Sequence, residues 1–377
     1  MSELPNTPLN KGDRMLEPRP PREEERRELI QFLSQQLRPT STWSIAEEYP
    51  LAMTQNNLHN LRFIKDEEQI LSAAVMKPMV IKTLAGLFRV TAIGSVVTHP
   101  EKRKQGLSHQ VMESCIQSAT ETGSDFAILW TNLFDFYRKL GFEMAGEEVS
   151  ISLSEPLPVM ASELRYEITP KIDPQAILRI YSKHTTGVVR TVQDIRKFLS
   201  IPNSRVFTAW GTDNQLKAFA VEGKGIDLQG YIHEWGGDIH SLISLLSYAQ
   251  SHSSETLTLL SPGNSKNLIR TLEGFGCPRF DGILGMIRIL NPQNFTFKIK
   301  KYFRALGYDG VIFEYRDDQY YIGYDGEIFK TDSSADVVRL VFGPQKASEL
   351  YPFQGEMKEV FEKCFPVPLW VWGWDSV

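Results

Sequence analysis

The stretch Val96-Val97-Thr98-His99-Pro100-Glu101-Lys102-Arg103-Lys104-Gln105-Gly106-Leu107-Ser108 decides how this chain is read. A β-branched run ends at a proline, a basic loop spaced Arg-x-x-Gly-x-Ser follows, and apolar residues then recur at helical intervals. The first N–H groups of a helix have no intrahelical acceptor. Together with the helix dipole they make a ready site for phosphate. Gly106 lets the backbone approach a ligand with no Cβ between them. Arg103 and Lys104 add local positive charge. The pattern predicts a site for a phosphate-bearing cofactor.

Reading onward, Leu107, Val111, Met112, Cys115, Ile116 and Ala119 trace one helical face, and Gly123 suits its end. Phe126–Thr131 reads as a buried strand. Asn132-Leu133-Phe134-Asp135-Phe136-Tyr137-Arg138-Lys139-Leu140-Gly141-Phe142 reads as a short helix stopped by Gly141, with a strand about Glu148–Leu153 beyond it. Strand, Arg-x-x-Gly-x-small, helix, strand and then Tyr-x-x-x-Gly-Phe, in that order, resemble the GNAT family of acetyl-CoA-dependent N-acetyltransferases. The resemblance is clearest over residues 88–145 and extends over 12–153.

The resemblance implies a role for each matching residue. The backbone of Val96, Val97 and Thr98 would pair with the pantetheine arm as an added strand. The N–H groups of Lys104, Gln105, Gly106, Leu107, Ser108 and His109 would hold the pyrophosphate, with charge from Arg103 and Lys104. Asn132 and Leu133 would flank the thioester. Tyr137 falls where GNAT enzymes keep the acid that protonates the departing CoA thiolate, and a phenol is protonated at neutral pH. The bland alternatives are a solvated basic turn and a packed tyrosine.

The pattern recurs in residues 154–290. Val206–Trp210, Leu216–Val221 and Gly230–Trp235 read as strands, a helix follows through Leu242–Tyr248, and Thr256–Leu260 reads as the next strand. Leu268-Ile269-Arg270-Thr271-Leu272-Glu273-Gly274-Phe275 echoes the tyrosine segment with Arg270 in the place of Tyr137. Gly236-Gly237-Asp238 replaces the basic loop, and a carboxylate there repels a pyrophosphate. This copy is expected to bind no cofactor and to be structural or to wall the substrate channel. His233 and Glu234 are strand neighbours and point to opposite faces, so they do not form a catalytic pair.

Residues 291–377 differ in composition. Phe295–Ile299 alternates as a strand does, and Gly310–Tyr315, Gln319–Tyr324 and Gly326–Lys330 read as short strands joined by Asp/Gly turns. Ser333–Phe342 reads as a strand and helix ending at Gly343-Pro344. An active GNAT domain, a degenerate one and a small third module resemble the enhanced-intracellular-survival type, whose last module is sterol-carrier-like. The expected class is α+β: two GNAT-like mixed-sheet domains in tandem (12–153 and 154–290), then a sterol-carrier-like α/β domain (291–377).

The tail Phe365-Pro366-Val367-Pro368-Leu369-Trp370-Val371-Trp372-Gly373-Trp374-Asp375-Ser376-Val377 is too aromatic to be left in water. Burying its indoles contributes several kcal/mol, at about 25 cal/mol per Å² of apolar area. In the survival-type proteins the terminal carboxylate acts as the base, which would place Val377 near Tyr137. The strand Phe88–Thr98 supplies no carboxylate of its own. Either the base comes from elsewhere or the amine arrives neutral.

The length of 377 residues accommodates three domains, and 42% hydrophobic with 23% charged residues describes a globular protein. A net charge of -5 argues against general nucleic-acid binding. The 3 cysteines, Cys115, Cys277 and Cys364, are far apart and without metal spacing, which fits free thiols in a cytoplasmic protein. No secretory or membrane-spanning pattern is seen. Residues 1–11 are expected to be disordered. The reading is a cytoplasmic N-acetyltransferase that uses acetyl-CoA and a small-molecule or peptide amine, with no metal, nucleic-acid or membrane partner. The survival-type resemblance implies a homo-oligomer. A non-catalytic acyl-CoA or apolar-ligand sensor is the alternative. A mycothiol-synthase-like acceptor is a third reading, one that leaves the last module unexplained.

Overall fold

The computed structural model describes residues 16–161 and 163–377. The expectation of disorder over 1–11 falls outside them. In chain order the first half holds α1 (Arg26–Leu37), α2 (Ile45–Glu48), β1 (Leu61–Asp66), β2 (Gln69–Thr83), β3 (Gly86–Thr98), α3 (Leu107–Glu121), β4 (Phe126–Leu129), α4 (Phe134–Arg138) and β5 (Glu143–Ser152). The second half holds β6 (Arg165–Ile168), α5 (Pro174–Tyr181), β7 (Gly187–Val188), α6 (Val192–Phe198), β8 (Arg205–Trp210), β9 (Leu216–Lys224), β10 (Asp227–Gly237), α7 (Ile239–Ser251), β11 (Thr258–Pro262), α8 (Lys266–Gly274) and β12 (Arg279–Ile289). The remainder holds α9 (Pro292–Ala305), β13 (Val311–Arg316), β14 (Gln319–Tyr324), β15 (Glu327–Thr331), α10 (Ser334–Phe342), α11 (Ala347–Leu350) and α12 (Gly355–Cys364).

The series β1-β2-β3-α3-β4-α4-β5 recurs as β8-β9-β10-α7-β11-α8-β12. The copies share one mixed sheet, ordered β1-β2-β3-β4-β12-β5-β11-β10-β9-β8-β6, with β7 on β2. Each half has one parallel pair, β3 with β4 and β10 with β11. At the centre the last strands change places: β12 lies on β4, β5 lies on β11, and the two pair with each other.

Alternation along the strands sorts the first half into two layers. Phe63, Ala73, Val75 and Val97 pack with α1 and α2, whereas Ile64, Ala74, Met76 and Ile93 pack with α3 and α4. A long core joins the second half to the last segment. Within it Phe88 and Phe126 meet Phe295 and Phe342, at centroid separations of 5.3 to 6.5 Å.

Two expectations for the last segment are corrected. Phe295–Ile299 lies inside α9, begun by the Asn291 cap and by Pro292 in the first turn. Phe295, Ile299, Tyr302 and Phe303 form its buried stripe at helical spacing, while Phe297 faces solvent. Ser333–Phe342 contains no strand: Ser333 accepts from the Asp336 N–H and starts a helix at Ser334. The strands read at 310–315, 319–324 and 326–330 form the antiparallel sheet β13-β14-β15. No helix among the described residues is long and apolar enough to cross a membrane.

Candidate active site

Strand β3 pairs with β4 only from Val90/Phe126 to Ala92/Ile128. It then runs on to Thr98, held on its other side by β2 as far as Ser72/Thr98. Among the described residues no strand covers the β4 side of Ile93–Thr98. A bulge at Ser95, with φ of 50°, accompanies the parting of the strands. Val96, Val97 and Thr98 thus lie along an opening in the sheet. The Thr98 hydroxyl sits 2.9 Å from that of Ser72.

The opening leads to the N-terminus of α3. Lys104 and Gly106 have φ of 63° and 78°, left-handed conformations that gather backbone N–H groups on one side of a loop. A Cβ on Gly106 would meet nothing within 4 Å, so only its conformation calls for glycine. No side chain caps α3. Arg103, Lys104 and Gln105 are exposed, Leu107 is buried, and Ser108 and His109 are half-buried. His109 faces Glu113 at 3.3 Å. The matching helix α7 is closed by its own chain, since the Asp238 carboxylate caps it from 3.0 Å through the Ser241 N–H. A side-chain cap that α3 lacks is therefore present on α7.

Tyr137 stands on α4 with its ring buried between Phe136 and Phe142, at centroid distances of 4.9 and 6.2 Å. Burial, with Cys115 nearby, pushes its phenol up to about 12, so it keeps its proton at neutral pH. Asn132 and the apolar Leu133 are exposed just before α4, and the Leu133 N–H donates to Thr131 Oγ1 at 2.9 Å. Arg270, in the corresponding place, is an exposed residue of α8.

The aromatic tail docks in a fixed path. Trp370, Trp372 and Trp374 are 2%, 0% and 1% exposed, so none is left in water. The Trp372 indole N–H donates to Thr186 O at 3.3 Å, and Trp374 stacks on Phe198 at 5.4 Å. The chain then ends on β3. A Cβ at Gly94 would overlap the carboxyl carbon and oxygen of Val377. Tyr137 belongs to the side-chain cluster that contains Ile93, the preceding residue of β3. Val377 packs against the cluster on the other face of the sheet, with Val75 and Val97.

Charged side chains buried around the tail went unread in the sequence. Arg190 donates to both Glu234 carboxylate oxygens at 2.7 and 2.9 Å and to Asp375 at 2.6 and 2.8 Å. Lys77 donates to Asp375 Oδ1 at 3.0 Å and to its carbonyl at 3.1 Å. Lys224 donates to Gly373 O and Ser376 O, each at 2.8 Å, and to Ser376 Oγ at 3.0 Å. His233 and Glu234, opposed along β10, are both buried: His233 Nε2 meets Gly223 O at 3.0 Å, and Glu234 accepts the Trp374 N–H at 2.9 Å. The signal for the arginine and the lysine was a charge closing a short, largely apolar run, as in Val188–Arg190 and in Ala218–Lys224, where Glu222 also stands.

Residues 17–145 match the family described as the acetyltransferase (GNAT) domain. Among solved structures, a GCN5-related N-acetyltransferase from Anabaena variabilis is 17% identical with a TM-score of 0.67, covering 96% of this chain and 100% of that one. A probable N-acyltransferase from Enterococcus faecalis is 13% identical at 0.65, covering 94% and 98%. Eis1 from Mycobacterium abscessus is 10% identical at 0.60, covering 94% and 99%. At such identities these likenesses concern the fold, which is α+β and GNAT-like over nearly the whole chain. No curated protein matches the sequence. The chain thus carries, at residues 17–145, a domain that matches the GNAT acetyltransferases, a family of acyltransferases.

Proposed function

We propose that the protein is an acetyl-CoA-dependent N-acetyltransferase that passes acetyl from the thioester directly to a primary amine. The observation that carries this reading is the opening between β3 and β4, which ends at the uncapped N-terminus of α3. Its backbone edge at Val96, Val97 and Thr98 suits an amide-bearing pantetheine arm. The N–H groups from Lys104 to His109, with Arg103, suit a pyrophosphate. Acetyl-CoA supplies the activated acyl group. Asn132 and Leu133 border its thioester end.

Tyr137 is the acid. It holds its proton at the working pH and delivers it to the departing sulfur. The Val377 carboxylate, lying on Gly94, is the base that draws the proton from the attacking amine. Holding amine and thioester together turns a bimolecular encounter into an oriented one. In this reading residues 12–153 carry the chemistry and 154–290 bind no cofactor. Asp238 on α7 and Arg270 on α8 support that assignment. Residues 291–377 are the sterol-carrier-like module that delivers the tail.

The test is CoA release from acetyl-CoA with a panel of cationic primary amines, in the intact protein and in one lacking Val377. Release with at least one amine is expected. Removal of the last residue should lower kcat by about 100-fold or more with the affinity for acetyl-CoA unchanged. No release with any amine would sink the reading. Unchanged kcat without Val377 would remove the chain end from the mechanism.

A further inference from the structure

We infer that Lys224 is a positioning residue that seats the chain end on β3, so that the repeat without a cofactor loop serves the other repeat's chemistry. The inference rests on the chain end acting as base.

The geometry is specific to the last residues. Lys224, at the end of β9, is 1% exposed and makes three hydrogen bonds, all to the tail: Gly373 O, Ser376 O and Ser376 Oγ. It bridges a short 3-10 turn at Gly373–Asp375 and holds the carbonyl next to Val377. Gly373 is required at that turn, since a Cβ there would overlap the His233 imidazole of β10. Arg190 and Lys77 fix the Asp375 carboxylate from either side. The final residue follows the last of these contacts by one peptide link and lies on Gly94.

A buried ammonium needs a reason to be there, because removing it from water is unfavourable. Lys224 faces the Tyr49 ring at 4.5 Å and lies within reach of Lys77 on β2, Asp227 and Glu234 on β10 and Asp375 in the tail. Burial first, and then Lys77, bring it down to about 7. The protein keeps an unfavourably placed amine whose hydrogen bonds all go to the tail. An apolar residue would fill the space with no such penalty, so the three bonds are the function left to explain.

The experiment uses the full chain with Lys224→Met and, as a milder change at a half-buried residue, Ser376→Ala, which removes one of the three Lys224 bonds and the Ser376 Oγ bond to Gly373 O. Carboxypeptidase release of Val377 should be about tenfold faster or more in Lys224→Met and faster by a smaller factor in Ser376→Ala, since loss of such bonds raises local opening. Thermal melting confirms that each variant is folded. Catalysis should show kcat reduced with KM for acetyl-CoA unchanged. In protein lacking Val377 the Lys224→Met change should lower kcat no further, because both act through one group. Unaltered release of Val377 in both folded variants overturns the inference. So does a kcat loss that persists in full without Val377. Should removal of Val377 leave kcat intact, the base assignment fails by itself, and the carboxypeptidase comparison still decides whether Lys224 seats the tail.

Discussion

In the proposed mechanism a phenol and a glycine, Tyr137 and Gly94, hold most of the chemistry at the scale of single residues. Tyr137→Phe keeps the packing with Phe136 and Phe142 and removes the proton. It is expected to lower kcat roughly 100-fold with acetyl-CoA binding retained, as measured by steady-state turnover and calorimetric titration. Gly94→Ala places a Cβ where the Val377 carboxylate lies. Displacing a catalytic group by about 1 Å costs on the order of 100-fold. A fall of that size in kcat with little change in melting temperature is the expected result, and normal turnover would show that the chain end does not act from Gly94. Tyr137 was legible because it sits four residues before Gly141 in a motif. Gly94 was not, because its necessity comes from a residue 283 positions later (377 − 94). Lys224 and Arg190 were hidden for another reason: charges are normally solvated, and nothing local marks the few that are buried in pairs.

Between elements, α3 and α7 differ in how their first turns are satisfied. One helix start is capped by Asp238 and the other is left without a side-chain cap. Ser108→Asp would place a carboxylate in the first turn of α3. Stability should rise by about 0.3–1 kcal/mol through the helix dipole, read by urea denaturation. Acetyl-CoA affinity should fall about tenfold or more, read by titration, because the carboxylate competes with the pyrophosphate for the same N–H groups. A gain in stability without the loss in affinity would place the cofactor elsewhere. The strand, basic loop and helix at 96–119 were readable because all three are consecutive and periodic. Phe295–Ile299 was misread because Phe-x-Phe-x-Ile satisfies a two-residue period and, through Phe295 and Ile299, a helical one as well. Only Asn291-Pro292 before it and Tyr302-Phe303 after it break the tie.

Across the whole molecule, the buried ions tie three stretches of sequence together: Lys77 from the first repeat, Arg190, Lys224 and Glu234 from the second, and Asp375 from the tail. Arg190→Met would leave Glu234 and Asp375 buried without the cation they share. A loss of about 3–5 kcal/mol in unfolding free energy is expected. Asp375 and Lys224 set opposite pH trends. Burial raises the Asp375 carboxyl, but Arg190 and Lys77 outweigh it and hold it below its ordinary value. Its contribution is therefore present at neutral pH and is lost on acidification. Lys224 falls to about 7, so between there and the ordinary lysine range the unfolded chain binds the extra proton and stability rises with pH. The melting temperature of Lys224→Met should lack that alkaline rise, and an identical rise in both proteins would contradict it. The order of the sheet was beyond the sequence, since pairing across its centre leaves no local pattern. That order bears on synthesis. The first repeat ends at β5, but its strand β4 is covered by β12, which closes at Ile289. A ribosome must therefore deliver 137 further residues (289 − 152) before the first repeat has its neighbour, and the residue seated on Gly94 emerges later still. The sheet of the first repeat is thus completed only by a strand made at the end of the second.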